Sequence, residues 1–416
     1  MTAATTTPLR PERRSAVRAL RHRDFALYFT GNVLSNCGTW FQNVALSLLV
    51  YRLTHSSFWV GAVNFAQFAG VLLLAPWAGA AADRGDRRKL IVLTQIVATL
   101  TSGALAAVVA LGDGALPAVL GLALVLGLTT AFATPAMQAI LPALVPREDL
   151  PAAVAMNSVT FNLARAVGPV MGAFVVARFG VAWAIGVNAF SYLVFAAAMM
   201  IARPAPQERR VQRARLRDSL RMVIAERHLG VLLLVVAAVS LSMDPVNTVT
   251  PAFATRVYGR ADTFIGVLIG AFGAGAVTAT VLPTGEGRRP ELVIAGTLAL
   301  FGTGMIAFAL SPAFGVGLAA LVAAGAGYLS SQTRVTTLLQ LEVSDAERGR
   351  VMALWSVAFL GTRPIASLVD GGLATALGPR WATLLMALPA LVAAAAMTMG
   401  PGRLVGAARE RSRAVR

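Results

Sequence analysis

Cysteine, histidine, lysine and charge are all scarce in this chain of 416 residues. The one cysteine, Cys37, excludes an intramolecular disulfide and any thiolate-rich metal centre. The three histidines, His22, His55 and His228, fall far apart at the edges of apolar segments. A membrane enzyme needs a nucleophile with a base, or metal ligands at helical spacing, and no such set is present. Lys89 is the only lysine and no Gly-Lys-Ser/Thr follows a glycine-rich loop, so a nucleotide-driven pump is excluded. Neither a cofactor nor a metal is expected.

Charged residues make up only 13% of the chain, against about 25% in soluble domains. Hydrophobic residues reach 57% and gather in long blocks such as 71–82, 90–111 and 181–202. A helix needs roughly 20 mainly apolar residues to cross the hydrocarbon core. Apolar blocks bounded by charged or turn-rich breaks give twelve expected spans: 26–50, 58–82, 90–111, 116–140, 151–177, 181–202, 229–254, 263–283, 291–310, 313–340, 350–376 and 381–400. They are numbered spans 1 to 12 below. The N-terminal stretch lacks a short apolar core ahead of a small-residue cleavage site, so span 1 is expected to serve as the insertion signal.

The 36 basic residues are distributed unevenly about these spans. Segments on the side of the N-terminus hold 28 of them, the opposite loops five and the spans three. Such a bias places the N-terminus, the central loop and the C-terminus in the cytoplasm. The net charge of +17 therefore reads as topology and contact with anionic lipid head groups, not as a nucleic-acid surface.

The chain also repeats itself. A shift of 198 positions superposes Val145 on Val343, Ser158 on Ser356, Phe161 on Phe359, Arg165 on Arg363, Gly180 on Gly378 and Trp183 on Trp381. Parallel repeats flanking a midplane site are one of the known carrier architectures. The expected fold is an all-α membrane protein of twelve transmembrane helices in two pseudo-symmetric six-helix bundles. Its parts are an N-terminal tail (1–25), an N-terminal bundle (26–202), a central loop (203–228), a C-terminal bundle (229–400) and a C-terminal tail (401–416).

Between spans 2 and 3 runs Gly79-Ala-Ala-Ala-Asp83-Arg84-Gly-Asp86-Arg87-Arg88-Lys89. This resembles the signature loop of the major facilitator superfamily, with Ala81 where a leucine is usual and Asp86 where a second glycine is usual. The motifs Leu20-Arg-His-Arg-Asp-Phe25, Leu144-Val-Pro-Arg147, Asn162-Leu-Ala-Arg-Ala-Val-Gly-Pro169 and Arg348-Gly-Arg-Val-Met352 extend the resemblance along the chain. They look like the branch containing siderophore exporters and drug or macrolide efflux proteins. The resemblance implies the major facilitator fold and an alternating-access secondary carrier, exporting small amphipathic molecules in exchange for protons. An importer, or a non-transporting sensor of the same fold, is the alternative. Small-molecule substrate, protons and membrane lipids are the expected partners, the bacterial cell membrane the expected location, and a monomer the expected state.

The candidate site residues follow. In the loop, Gly79, Asp83, Arg84, Arg87, Arg88 and Lys89 form an expected gate, and the resemblance implies that Asp83 meets the start of span 11 near Arg350. Ionisable groups at membrane depth are costly and default to functional candidates. Asp244, beside Pro245, and Asp370 are candidates for proton coupling. The repeat-related Arg165 and Arg363 are their candidate counter-charges, or anchors for an anionic cargo. Arg334 and Glu342 are expected to pair near the mouth of span 10. Spans 1, 4, 7 and 10 line the cavity in the family, which nominates Asn36, Trp40, Gln42, Asn43, Gln138, Asn247 and Gln332 as substrate contacts. Gly168, Pro169 and Gly172 of span 5 are expected to pack closely against Gly266 and Gly270 of span 8.

Overall fold

A computed structural model describes residues 16–112, 116–206, 226–281, 290–343 and 345–399. Every described element is helical. In lipid each backbone polar group must be satisfied inside its own segment, and a helix does this without partners. Each of the twelve expected spans appears as a helical rod. The N-terminal half holds Arg23–Thr54, Ser57–Arg84, Arg87–Ala110, Leu116–Ile140, Leu150–Phe179 and Val181–Ile201. The C-terminal half holds the broken span 7, then Ile265–Val281, Pro290–Leu310, Phe314–Leu341, the broken span 11 and Pro379–Met399. Eight of the described helices are individually long and apolar enough to cross a bilayer.

In the N-terminal half, span 1 packs on spans 5 and 6, span 3 on spans 4 and 6, and span 2 on span 4. The C-terminal half packs span 9 on spans 10 and 12, span 8 on span 10, and span 7 on span 12. Two seams join the halves, span 2 along span 11 and span 5 along span 8. The repeat carries span 2 to span 8 and span 5 to span 11, so the seams are images of each other.

Two spans are interrupted. Span 7 runs as Arg227–Met243 and then breaks into Pro245–Thr248, Thr250–Ala252 and a π-turn over Phe253–Val257. Pro245 and Pro251 each lack an N–H and crowd the carbonyl four residues back, which cuts the ladder. Span 11 runs as Asp345–Leu360 and resumes as Arg363–Leu377, with Pro364 in the first turn of the second piece. The Ser240 hydroxyl donates to the Phe359 carbonyl at 2.6 Å, satisfying a group at that break from the neighbouring span.

Small residues set the spacing at the seams. A Cβ on Gly266 would overlap the Ala173 side chain and lie 2.8 Å from the Pro169 carbonyl oxygen. A Cβ on Gly371 would lie 2.7 Å from the Ser57 carbonyl oxygen. Pro169 thus meets span 8 as expected, and Gly270 is buried. Gly168 and Gly172 do not meet span 8: their faces abut Trp40 and Phe41 of span 1. The correction is one of phase, since positions i and i+4 share a helix face while Pro169 and Ala173 occupy the next. Gly266→Leu is expected to destabilise the protein by about 1–3 kcal/mol through overpacking. Thermal unfolding in detergent reads this out, and an unchanged melting temperature would show the seam to be loose.

Candidate functional site

The loop between spans 2 and 3 divides into clamps and free charges. Asp86 caps span 3, its carboxylate accepting from the Lys89 backbone N–H at 3.1 Å, which satisfies one of the helix's orphan donors. Arg87 donates to the carbonyls of Ala82 at 3.1 Å and Ala139 at 3.0 Å. Arg88 donates to Met199 O at 2.8 Å and to Met200 O. Both guanidinium groups thereby bind carbonyls at the ends of neighbouring spans, where the helix dipole favours cations. Lys89 is exposed, 3.9 Å from Asp86. Asp83 and Arg84 are exposed as well. Arg84 lines an open hollow of about 540 Å³ with Ala80, Ala81, Lys89 and Leu93. Gly79 has no atom within 4 Å of where a Cβ would stand. The side chain of Arg350 lies outside the described residues.

A second site lies at the seam of spans 2, 7 and 11. Asp244 sits at the first break of span 7 and is 2% exposed. Its carboxylate accepts from Thr248 Oγ1 at 2.8 Å and from Ser367 Oγ of span 11 at 2.9 Å. Asn64 Nδ2 of span 2 reaches Thr248 Oγ1 at 3.4 Å, and Gln67 Nε2 reaches Asn64 Oδ1 at 3.4 Å. Arg363, 7% exposed, opens the second piece of span 11 and lies close enough to act electrostatically on Asp244. Its guanidinium stacks 4.5 Å from the ring centroid of Phe68 on span 2, a cation–π contact that partly replaces lost hydration. Asp370 is fully buried two turns further on, and neither of its carboxyl oxygens has a hydrogen-bond partner. Asp244, Arg363 and Asp370 thus come together as expected. The side chain of Arg165 lies outside the described residues.

Thr248 and Ser367 are absent from the candidates read off the sequence, although their spacing signals them. Thr248 follows Asp244 by four residues and Ser367 follows Arg363 by four, the interval that stacks side chains on one helix face.

The amide candidates separate by face. Asn36 is half-buried and donates to Asn32 Oδ1 and Asn32 O, both at 2.8 Å; Asn32 Nδ2 donates to Asn157 Oδ1 at 2.9 Å. Trp40 and Asn43 are half-buried on the same side of span 1. Gln42 is not with them. It is 3% exposed and accepts from Ser102 Oγ at 2.9 Å and Asn188 Nδ2 at 2.8 Å inside the N-terminal half. Six residues turn a helix by about 240°, so Gln42 cannot share the face of Asn36. Gln138 is exposed and Asn247 half-buried. Gln332 of span 10 is buried with both amide atoms lacking a hydrogen-bond partner.

Arg334 and Glu342 do not pair. Eight residues separate them by ~12 Å along a helix axis, too far for an ion pair. Glu342 lies instead 3.3 Å from His228 Nε2, which is 3.4 Å from Glu226. Glu342 stands one residue beyond the end of span 10, where burial, with Glu291 and then Glu226 nearby, pushes its carboxyl up to about 7. The native state therefore binds this proton more tightly than the unfolded chain. The contribution is full below the ordinary glutamate range and is lost as pH rises toward about 7. Glu342→Gln is expected to raise the melting temperature at pH 8 and leave it unchanged at pH 4; an equal effect at both would refute the burial argument.

Comparison with known proteins identifies the family. Residues 14–412 match the profile of the transmembrane secretion effector family. The chain belongs to that family, within the major facilitator superfamily. Among its curated relatives is the enterobactin exporter EntS of Citrobacter koseri, 27% identical over 370 residues, covering 86% of this chain and 87% of the relative. Another is the staphyloferrin A transporter of Staphylococcus aureus, 24% identical over 365 residues, covering 82% of this chain and 87% of that one. A solved bacterial homologue of the human lysosomal transporter Spinster, in an inward-facing and occupied conformation, superposes with a TM-score of 0.71 at 16% identity, covering 90% of this chain and 95% of that one. The structure of a D-xylose–proton symporter gives a TM-score of 0.70 at 16% identity, over 92% and 97% of the two chains. The superfamily member described here is a multi-pass membrane transporter with bacterial relatives, and its family is one of carriers, not enzymes.

Proposed function

We propose that this transporter exports small amphipathic metabolites of the siderophore class across the cytoplasmic membrane in exchange for protons. The observation that carries the reading is the buried group of Asp244, Arg363 and Asp370, placed where span 2 of one half meets spans 7 and 11 of the other. Charge at this depth is retained only for a purpose, and a carboxylate on a moving seam is what coupling to a proton requires. The names of the two relatives supply the cargo class. The basic bias supplies the orientation, with both termini in the cytoplasm. One chain provides both halves, so a monomer suffices, with lipid head groups as its other partners.

The halves then work by alternating access. At the outer face, Phe58 N donates to Thr375 Oγ1 at 3.1 Å, Thr255 Oγ1 to Tyr51 OH at 3.3 Å, and Arg256 to His55 O. At the cytoplasmic face, Asp83 and Arg84 stand exposed beside the open space at Gly79. This is the arrangement of a carrier open to the cytoplasm. The opposite state would bring the start of span 11 against Gly79 and Asp83, while Arg87 and Arg88 keep the N-terminal half rigid. Half-buried Asn36, Trp40, Asn43 and Asn247 and the unpartnered Gln332 would receive the cargo.

The test is flux of enterobactin and, in parallel, staphyloferrin A in proteoliposomes under an imposed proton gradient. A gradient should accelerate movement of one of them against the proton flow, and a protonophore should return it to the passive rate. Flux unaltered by the protonophore would refute proton coupling, and no flux of either compound would refute the cargo class.

A further inference from the structure

Helical phase shows which side of span 2 faces lipid. Phe68 stacks on Arg363 and Leu72 lies beside Gly361, so that face meets span 11. Asn64 turns to Thr248 of span 7, and Gly70 abuts the backbone of Gly127 on span 4. The remaining side is uncovered: Trp59, Leu73 and Trp77 there are 37%, 59% and 64% exposed. Trp59 and Trp77 lie on one face a whole number of turns apart, about 27 Å along the axis. That is close to the ~30 Å of a hydrocarbon core, at whose two boundaries tryptophan collects. Trp77 therefore marks the cytoplasmic boundary. Arg84, on the same face, lies about 10 Å beyond it, at head-group depth. On span 3 the exposed stripe is Lys89, Leu93, Ile96 and Leu100, at the spacing of a single helix face.

These two uncovered faces converge on the open hollow beside the gating loop. Ala80, Ala81, Leu90 and Leu93 form its apolar side, and Arg84 and Lys89 its cationic rim. Asp86 adds one carboxylate, which is turned to the Lys89 N–H at 3.1 Å and answered by the start of the helix it caps. Arg87 and Arg88 take no part, because carbonyls of spans 2, 4 and 6 hold them. We propose that the hollow seats the head group of an anionic glycerophospholipid of the cytoplasmic leaflet, its phosphodiester between Arg84 and Lys89 and an acyl chain running past Leu93 and Trp77. A zwitterionic lipid brings an ammonium beside its phosphate, which the two cations repel, so the rim selects against it. Asp83 precedes Arg84 by one residue, about 100° round the helix, and so points to the span 11 seam. Lipid and gate thus use different sides of the last turn of span 2. The proposal goes beyond the transport reading, and takes from it only the cytoplasmic orientation of this loop.

Brominated lipids quench tryptophan on contact and so report what lies beside Trp77. The full chain is placed in vesicles of phosphatidylcholine and phosphatidylglycerol, one or the other brominated in the upper acyl chain. The Trp77 signal is that of the parent less that of Trp77→Phe. One cation near the surface favours an anionic lipid by about fivefold, so in the parent phosphatidylglycerol should compete for this place at least about fivefold better than phosphatidylcholine. In Arg84→Gln with Lys89→Gln the two lipids should compete equally. Arg84→Lys with Lys89→Arg should keep the preference, since both charges remain. Arg147→Gln, which removes an exposed charge elsewhere on the same side, should keep it too. The proposal is overturned if the parent shows no preference, if the double glutamine variant retains it, or if the charge-retaining swap loses it. Loss of the preference in Arg147→Gln would assign it to net charge alone, and displacement of the lipid by millimolar glycerol 1-phosphate would assign the rim to a soluble phosphate ester; either overturns the lipid site. Both leaflets carry the same lipids and no cargo is present, so the result stands or falls apart from the orientation and from the protonophore test.

Discussion

Asp244→Asn is expected to slow proton-driven accumulation of cargo strongly while leaving cargo-for-cargo exchange intact. The substitution keeps the shape of the side chain and a partner for the hydroxyls of Thr248 and Ser367. What it removes is the charge that answers Arg363 and repels Asp370. Cargo binding draws on other residues and on the rocking of the halves, so exchange at equal concentrations should continue. Coupling between two sites is typically worth ~1–3 kcal/mol, so the concentrative rate should fall by about 5- to 150-fold. The two rates, measured in one batch of proteoliposomes, separate coupling from folding. Loss of both would assign Asp244 to packing; loss of neither would remove it from the mechanism.

Asp83→Asn is the second large effect, and it acts on the other face. Asp83 is exposed, so in the cytoplasm-open state proposed above neither stability nor the open state should change. The closed state, in which Asp83 would meet the N-terminal end of span 11, loses a favourable charge–dipole contact. Such contacts contribute ~0.3–1 kcal/mol when exposed and up to ~2 kcal/mol when partly buried. Turnover should therefore drop by about two- to thirtyfold with the affinity for cargo nearly unchanged. Arg88→Gln should behave differently, because Arg88 binds the end of span 6 in this same state: it should lower the melting temperature. A variant of Asp83 transporting at the parent rate would remove the gate.

The twelve rods and their two halves were legible because lipid imposes simple demands. Spans must be long and apolar, loops must carry the basic residues, and a repeat must pair Arg165 with Arg363. The loop at Gly79–Lys89 was legible as a motif, but its division of labour was not. Which carbonyls Arg87 and Arg88 reach depends on where spans 4 and 6 end in space. Pro245 announced the break in span 7, and Pro364 carried the same warning for span 11, yet Pro169 sits inside an unbroken helix. Proline therefore marks where a ladder can break, and tertiary contact decides whether it does.

Two of the misassignments come from helical phase and the third from axial distance. Gln42 was grouped with Asn36 by membership of span 1, and Gly168 with Pro169 by adjacency, although turns of about 100° per residue place them on different faces. Arg334 and Glu342 were grouped by proximity in sequence, while burial and the turn of the chain deliver Glu342 to His228. The buried seam group was half-legible, its charges conspicuous and its hydroxyls hidden among ordinary serines and threonines.

The central claim is exchange of an outgoing siderophore for incoming protons, and it can be read without imposing any proton gradient. Proteoliposomes loaded with a pH-sensitive dye and given an outward-directed gradient of enterobactin, or of staphyloferrin A, should acidify inside as the cargo leaves. The acidification should slow strongly in Asp244→Asn. Cargo efflux from the parent protein with no internal pH change, or with alkalinisation, would contradict the account.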